Sequence, residues 1–200
     1  MKAAGIESPG QATHTDVPGA DVHTKAITIF GSAQPHPGSA LYEQARRLGR
    51  LLAKRGFAVV NGGYSGTMQA SSQGATEGGG QAVGITCAIF DDRRSGGNPY
   101  LAHEIHTADL LARLRQLTER CDGFVVLDGG VGTLLELLLV WNLLAVGVID
   151  KPCILVGAHW RQVLRDLKRQ TQVNSQLCAL LSVTDSVEDA VQLLDASLGR

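Results

Sequence analysis

The chain has 200 residues and a formal net charge of −1, so it suits one folded core and carries no basic field that would attract nucleic acid. No segment approaches the roughly 18 consecutive apolar residues of a membrane-spanning helix, and four widely spaced cysteines without a signal-peptide pattern favour a cytoplasmic location. Glycine is unusually frequent, at 24 of 200 residues against a usual fraction of about 7%.

Residues 1–24 show no apolar periodicity and are predicted to form a flexible tail, which leaves 25–200 as a single domain. In that domain, short Val- and Ile-rich runs alternate with longer segments of helical periodicity. The predicted strands are 26–30, 58–61, 81–86, 123–127, 152–156 and 180–184, and the predicted helices are 40–55, 67–77, 108–120, 133–146, one after 156, and 187–198. This alternation predicts an α/β protein, a Rossmann-like three-layer α/β/α sandwich with a mainly parallel sheet whose strands are buried on both faces.

Two polar features lie between the third predicted strand and the next helix. The segment 91–100 is either a mobile lid in which Arg93 or Arg94 reaches a phosphate, or a solvated loop. His103 and His106 are the only close pair of histidines, and we expect them to be polar residues near a loop-to-helix junction rather than zinc ligands. No metal or other cofactor is predicted.

Three glycine-containing loops follow predicted strands at the edge where parallel strands end. The first contains Gly31 and Ser32, the second runs from Asn61 to Met68, and the third runs from Asp128 to Thr133. The residues in these loops that are candidates for binding a ligand are Gly31, Ser32, Gly62, Gly63, Ser65, Gly66, Thr67, Met68, Gly129, Gly130, Gly132 and Thr133.

Glycine suits a phosphate-binding loop because it adopts positive φ freely and lets phosphate oxygens approach backbone N–H groups. Each loop alone could be a tight turn with no ligand, but three at one sheet edge favour an anionic ligand. Neither the GxGxxG pattern nor GxxxxGK[ST] occurs, so an NAD site and a P-loop are disfavoured.

Two charged residues are candidates for chemistry beside these loops. Glu136 lies about one turn inside the helix after the third loop, where it could act as a general base or clamp ribose hydroxyls, or only complement the helix dipole. Arg113 stands among leucines in the preceding helix and either points into the crevice or lies on a solvated face.

The segment from Gly129 to Glu136 resembles the PGGxGTxxE signature of the Lonely Guy family, the cytokinin riboside 5′-monophosphate phosphoribohydrolases. The segment 61–69 is similar to the family's GGGxxGLMG segment, Gly31-Ser32 matches its early glycine-serine turn, and the resemblance runs from about 26 to 167. It implies a Rossmann-like homodimer or higher homo-oligomer that hydrolyses a nucleoside 5′-monophosphate to free base and ribose 5-phosphate. It also implies that Glu136 and Arg113 are the catalytic residues.

Three residues depart from the family pattern: Asp128 replaces a proline, Leu114 a lysine and Asn61 a glycine. Asp128 would repel a phosphate dianion unless it is protonated, turned away or bridged by a cation. These departures favour an alternative in which the protein binds a nucleotide or a molybdenum-cofactor-type ligand as a carrier, without cleaving it.

The predicted helix after the third loop is apolar nearly all round over residues 134–144. A surface helix with one covered face needs only one apolar stripe. We therefore expect this helix to pack against a second subunit, with deep burial inside the chain as the alternative.

Overall fold

A computed structural model describes residues 24–93 and 96–199. These residues form one seven-stranded sheet in which every neighbouring pair is parallel, with helices on both sides. The predicted α/β sandwich is confirmed. The predicted flexible tail, apart from Thr24, lies outside the described residues.

The strands and helices alternate almost throughout the chain. The strands are β1 (Ala26–Phe30), β2 (Ala58–Asn61), β3 (Ala82–Cys87), β4 (His103–Thr107), β5 (Gly123–Val126), β6 (Cys153–Val156) and β7 (Ser182–Thr184). The helices are α1 (Ala40–Lys54), α2 (Thr67–Glu77), α3 (Leu110–Glu119), α4 (Val131–Ala145), α5 (His159–Gln170), the short α6 (Ser175–Cys178) and α7 (Val187–Leu198). A 3-10 segment, Ala88–Arg93, follows β3 directly.

The strand order is β4-β3-β2-β1-β5-β6-β7, so the chain reverses its direction of winding between β1 and β5. Residues 27–30 of β1 pair in parallel with residues 123–126 of β5. In open parallel sheets, ligands bind beyond the carboxyl ends of the strands at such a switch point. The first and third glycine loops leave the sheet there.

Two apolar layers cover the sheet. Successive residues of β1 point to opposite faces, so Ile27 and Ile29 pack in the layer with α1, α2 and α7. Ala26 and Phe30 pack in the other layer, with α3, α4 and α5. Every residue of β1, β2, β3, β5 and β6 is buried, as predicted for strands covered on both faces.

The main error in the predicted fold concerns His103 and His106, which belong to the edge strand β4 rather than to a loop-to-helix junction. Inward and outward residues alternate in this strand, and its outward positions are polar. The following helix begins at Leu110 instead of Ala108, because Asp109 caps it by accepting a hydrogen bond from the Ala112 N–H at 2.8 Å.

The other predicted boundaries agree within two residues. Helix α4 starts at Val131, one half-turn before the predicted start, and α6 was not predicted. Within the described ranges, no helix has the length and apolar character that a membrane crossing requires.

Candidate active site

The three glycine loops meet in one pocket of about 400 Å³ at the carboxyl edge of the sheet. Members of all three loops line the pocket, together with the predicted catalytic residues Arg113 and Glu136. Separate parts of the sequence thus share one cavity. The predicted residues that line it are Gly31, Ser32, Gly62, Met68, Arg113, Gly130, Gly132, Thr133 and Glu136.

The remaining predicted loop residues, Gly63, Ser65, Gly66, Thr67 and Gly129, do not line the pocket. The Ser65 hydroxyl donates to the backbone oxygen of Ala33 at 3.2 Å. Thr67 donates to the backbone oxygen of Ser32 twice, from its N–H at 2.9 Å and from its hydroxyl at 3.0 Å. These hydroxyls therefore hold the first loop in place.

Gly66 is a glycine that the fold itself requires. Its φ is +70°, in the left-handed region, and a Cβ there would overlap the backbone of Ser32 and Ala33. Gly66 thus lets the backbone of the second loop lie directly against that of the first.

Gly130 and Gly132 contrast with Gly66, because a Cβ at either position would meet open space. Gly130 is the N-cap of α4 and Gly132 the second residue of that helix. The first N–H groups of a helix have no acceptor within it, and the helix dipole favours an anion there. The start of α4 thus presents an unobstructed backbone surface to the pocket.

Arg113 is buried, with 8% of its side chain exposed, so the solvated-face alternative is wrong. Its Nε donates to the backbone oxygen of Ile85 at 2.8 Å, and its Nη2 donates to that of Gly62 at 3.3 Å. Its Nη1 donates to Oε1 of Glu136 at 3.4 Å. A Cβ on Gly62 would overlap Nη2, so glycine at that position makes room for the guanidinium.

Glu136 lines the pocket with 12% of its side chain exposed. Burial raises the pKa of this carboxyl to about 7, against the opposing effect of the Arg113 charge. Near neutral pH, Glu136 therefore exchanges a proton easily, as a group with acid or base duties requires.

The three departures from the Lonely Guy pattern lie in different surroundings. The Asp128 side chain is 65% exposed, lies 3.7 Å from Nε2 of His159 and does not line the pocket. Leu114 is buried. Asn61 is buried, and its side chain accepts from the Gly63 N–H at 2.8 Å and donates to the Met68 backbone oxygen at 3.0 Å, which braces the second loop.

Two aromatic residues of the pocket wall were not predicted as site residues. Tyr64 and Phe90 lie edge to face, with ring centroids 5.7 Å apart, and the guanidinium carbon of Arg113 lies 5.8 and 5.9 Å from the two centroids. Tyr64 lies inside the second glycine loop, and the apolar pair Ile89-Phe90 before two aspartates is the only sequence signal for the other ring.

The segment 91–100, for which the sequence allows either a lid or a solvated loop, is only partly described. It begins with the end of the 3-10 segment, while the Arg93 side chain and Arg94 lie outside the described part of the chain. Among the residues that the structure does describe, no three histidine, cysteine or acidic side chains are grouped closely enough to hold a metal ion.

The fold and this pocket define a Rossmann-type α/β protein with an open helix N-terminus and a buried Arg–Glu pair in one pocket. A model of the SLOG cluster4 family matches residues 24–186, and the chain belongs to this family, which confirms the resemblance to Lonely Guy proteins. The cytokinin riboside 5′-monophosphate phosphoribohydrolase of Mycobacterium tuberculosis is 32% identical over 173 residues, covering 83% of this chain and 91% of that protein.

Solved structures with a similar fold include two molybdenum cofactor proteins. The molybdenum cofactor binding protein of Rippkaea orientalis has a TM-score of 0.72 at 22% identity, covering 89% of this chain and 99% of that one. The molybdenum cofactor carrier protein of Chlamydomonas reinhardtii has a TM-score of 0.65 at 20% identity, covering 88% and 99%. At these identities, the likeness concerns the fold.

Proposed function

We propose that the protein is a cytoplasmic nucleoside 5′-monophosphate N-glycosidase that releases a free base and ribose 5-phosphate. The observation that carries the proposal is the position of Glu136 on α4, the helix whose open N-terminus lines the same pocket. Glu136 comes five residues after Val131, about 7.5 Å further along the helix, a separation that a ribose 5-phosphate can bridge. The 32% identical phosphoribohydrolase and the four free cysteines support the substrate class and the compartment.

The reaction breaks the bond between C1′ of the ribose and the base nitrogen, and the bonding electrons leave with the base. The sugar develops oxocarbenium character, which the Glu136 carboxylate stabilises and directs toward water. Water adds its oxygen to C1′, and its proton passes to the carboxylate and on to the departing base. This proton transfer suits a carboxyl with a pKa of about 7.

Arg113 acts as a positioning residue in this proposal. All three of its nitrogens already contact protein acceptors, and one of these acceptors is Glu136. The phosphate is instead held by the first N–H groups of α4, together with the loop containing Ser32.

The direct test is incubation with a panel of purine and pyrimidine nucleoside monophosphates, with free base measured by chromatography. Glu136→Ala should lower base release by at least a hundredfold, because the charge that stabilises the sugar cation is lost. Circular dichroism provides the folding control for the variant. If wild-type protein releases no more base than Glu136→Ala, the enzymatic proposal is wrong.

A carrier of a nucleotide or a molybdenum-cofactor-type ligand is the second candidate. The observation that favours it is Leu114, a buried leucine where the family pattern has a lysine, so no ammonium group is available there. A carrier would show saturable thermal stabilisation by such a ligand with no product. Release of base with turnover would exclude it.

We also propose that the protein forms a homodimer through α3 and α4. Large apolar side chains on these helices remain exposed: Leu111, Val131, Leu134, Leu135 and Leu138. The described part of the chain therefore does not bury α4 on all sides, contrary to the intramolecular alternative. Because Val131 also lines the pocket, this face adjoins the site, and a second copy would cover both.

The dimer is tested by light scattering coupled to size-exclusion chromatography. Leu138→Glu places a charge on the exposed face and should convert a dimer into a monomer. Leu193→Glu alters an exposed leucine on α7, away from that face, and should leave the mass unchanged. A wild-type protein that is monomeric at micromolar concentration would refute the dimer.

A further inference from the structure

The 3-10 segment Ala88–Arg93 places one aromatic side chain, Phe90, in the wall of the pocket. Its ring meets the Tyr64 ring at 84°, and its centroid lies 5.9 Å from the guanidinium carbon of Arg113. Arg113 therefore lies between the aromatic ring of Phe90 and the carboxyl of Glu136 in the chain of contacts.

Tyr64, the ring beside Phe90, is held to the sheet by hydrogen bonds. It is buried, and its hydroxyl donates to the backbone oxygen of Cys87 at 3.2 Å while accepting from the Cys87 N–H at 2.8 Å. Both bonds tie Tyr64 to the end of β3. Phe90 is only partly buried, whereas Tyr64 is buried.

A chain of polar contacts fixes the 3-10 segment on its other side. Asp91 lies 3.3 Å from Nε2 of His106, on β4. The Thr86 hydroxyl donates to Glu104 at 2.6 Å and lies 3.1 Å from Nδ1 of the same histidine. The residue after Phe90 is thus tied to the sheet edge, and this limits how far the ring can move.

The pocket contains three kinds of group in sequence: open backbone, the charged Glu136–Arg113 pair, and aromatic rings. The open backbone of α4 lies at one end, Glu136 follows about 7.5 Å along that helix, and Arg113 connects Glu136 to the two aromatic rings. A nucleotide with its phosphate on α4 and its C1′ at Glu136 has the two rings near Arg113, beside Glu136, on a side toward which its base can extend. We propose that Phe90 is the surface on which the planar heterocyclic base stacks, which makes it a specificity-determining residue of the proposed reaction.

This assignment rests on the proposed function, and a binding experiment separates the two. Carbocyclic AMP keeps the phosphate and the base, but a carbon replaces its ring oxygen, so it cannot form the oxocarbenium ion. Ribose 5-phosphate keeps the phosphate and the sugar and has no base. The dissociation constants of both ligands are measured by calorimetry for wild type and for Phe90→Ala, Phe90→Tyr and Ile89→Ala.

Phe90→Ala should weaken carbocyclic AMP by about fivefold to a hundredfold, the range found when a stacking ring is removed, and should leave ribose 5-phosphate within twofold. Phe90→Tyr should restore affinity because it retains a ring. Ile89→Ala, an exposed neighbour that does not line the pocket, should change neither ligand.

Equal loss of both ligands in Phe90→Ala, or loss of neither, would overturn the stacking role. A wild-type protein that shows this pattern but releases no base from AMP would contradict the proposed reaction and leave the stacking role intact. A wild-type protein that binds neither ligand would overturn both.

Discussion

The second and third glycine loops have similar compositions, but their glycines serve different ends. In the second loop, Gly66 has a positive φ and leaves space for the backbone of Ser32 and Ala33. In the third loop, a side chain at Gly130 or Gly132 would touch nothing in the described protein. At these positions the second loop braces the first, whereas the start of α4 in the third loop leaves open backbone beside the pocket.

The largest expected effect is that of Gly66→Ala on stability. The new Cβ clashes with backbone atoms that cannot rotate away, so the free energy of unfolding should fall by about 2–3 kcal/mol in urea denaturation. Gly79→Ala is the matched control, because Gly79 also has a positive φ but open space around it, and it should cost about 1 kcal/mol. Equal losses in the two variants would show that the close approach of the Ser32 and Ala33 backbone does not require glycine at Gly66.

The pH dependence of base release tests the second loop at Gly62, which leaves room for the Arg113 guanidinium beside Glu136. Because burial raises the pKa of Glu136 to about 7, the reactive carboxylate becomes scarcer below that pH. The value of kcat/KM for AMP should therefore fall about tenfold per pH unit below 7 and level off above it.

A variant separates this profile from titration of the substrate phosphate. In the wild type, the Arg113 charge lowers the pKa of Glu136. In Gly62→Ala, the new Cβ displaces the Arg113 guanidinium, so this lowering is weakened. The midpoint should move to higher pH in Gly62→Ala. A profile that is flat between pH 6 and 8, or identical in both proteins, would contradict the role assigned to Glu136.

The smallest expected effect, and the most selective, is that of Gly132→Ala in the third loop. Alanine is the better helix former, so the melting temperature should stay unchanged or rise. Affinity for ribose 5-phosphate should nevertheless fall about tenfold, because the added methyl group keeps the phosphate from the backbone. Unchanged affinity would mean that the start of α4 is not the phosphate site.

Much of this arrangement could be predicted from local patterns. The apolar runs of β1 and β2 and the periodicity of α2 and α7 located these elements at the observed residues, since both strands are wholly buried. The glycine loops could be assigned to a shared edge because parallel strands end together. The different roles of the individual glycines could not be predicted. Each role depends on whether residues distant in sequence lie beside the glycine, as they do at Gly66 and do not at Gly132.

Two features escaped prediction for the same physical reason. The edge strand β4 alternates polar and partly buried positions over five residues, and its main support is its pairing with β3. Phe90 stands where a short apolar run meets two aspartates, and its importance arises only where the fold brings Tyr64 and Arg113 beside it. Contacts between residues far apart in the chain decide both features, and local periodicity does not report them.

The central claim is that α4 holds the phosphate at its N-terminus and presents Glu136 to C1′. A crystal structure with carbocyclic AMP tests it most directly. The account predicts phosphate oxygens within 3.2 Å of the first backbone nitrogens of α4, with C1′ facing the Glu136 carboxyl. A phosphate bound at the Ser65–Thr67 turn or outside the pocket, with C1′ remote from Glu136, would contradict it.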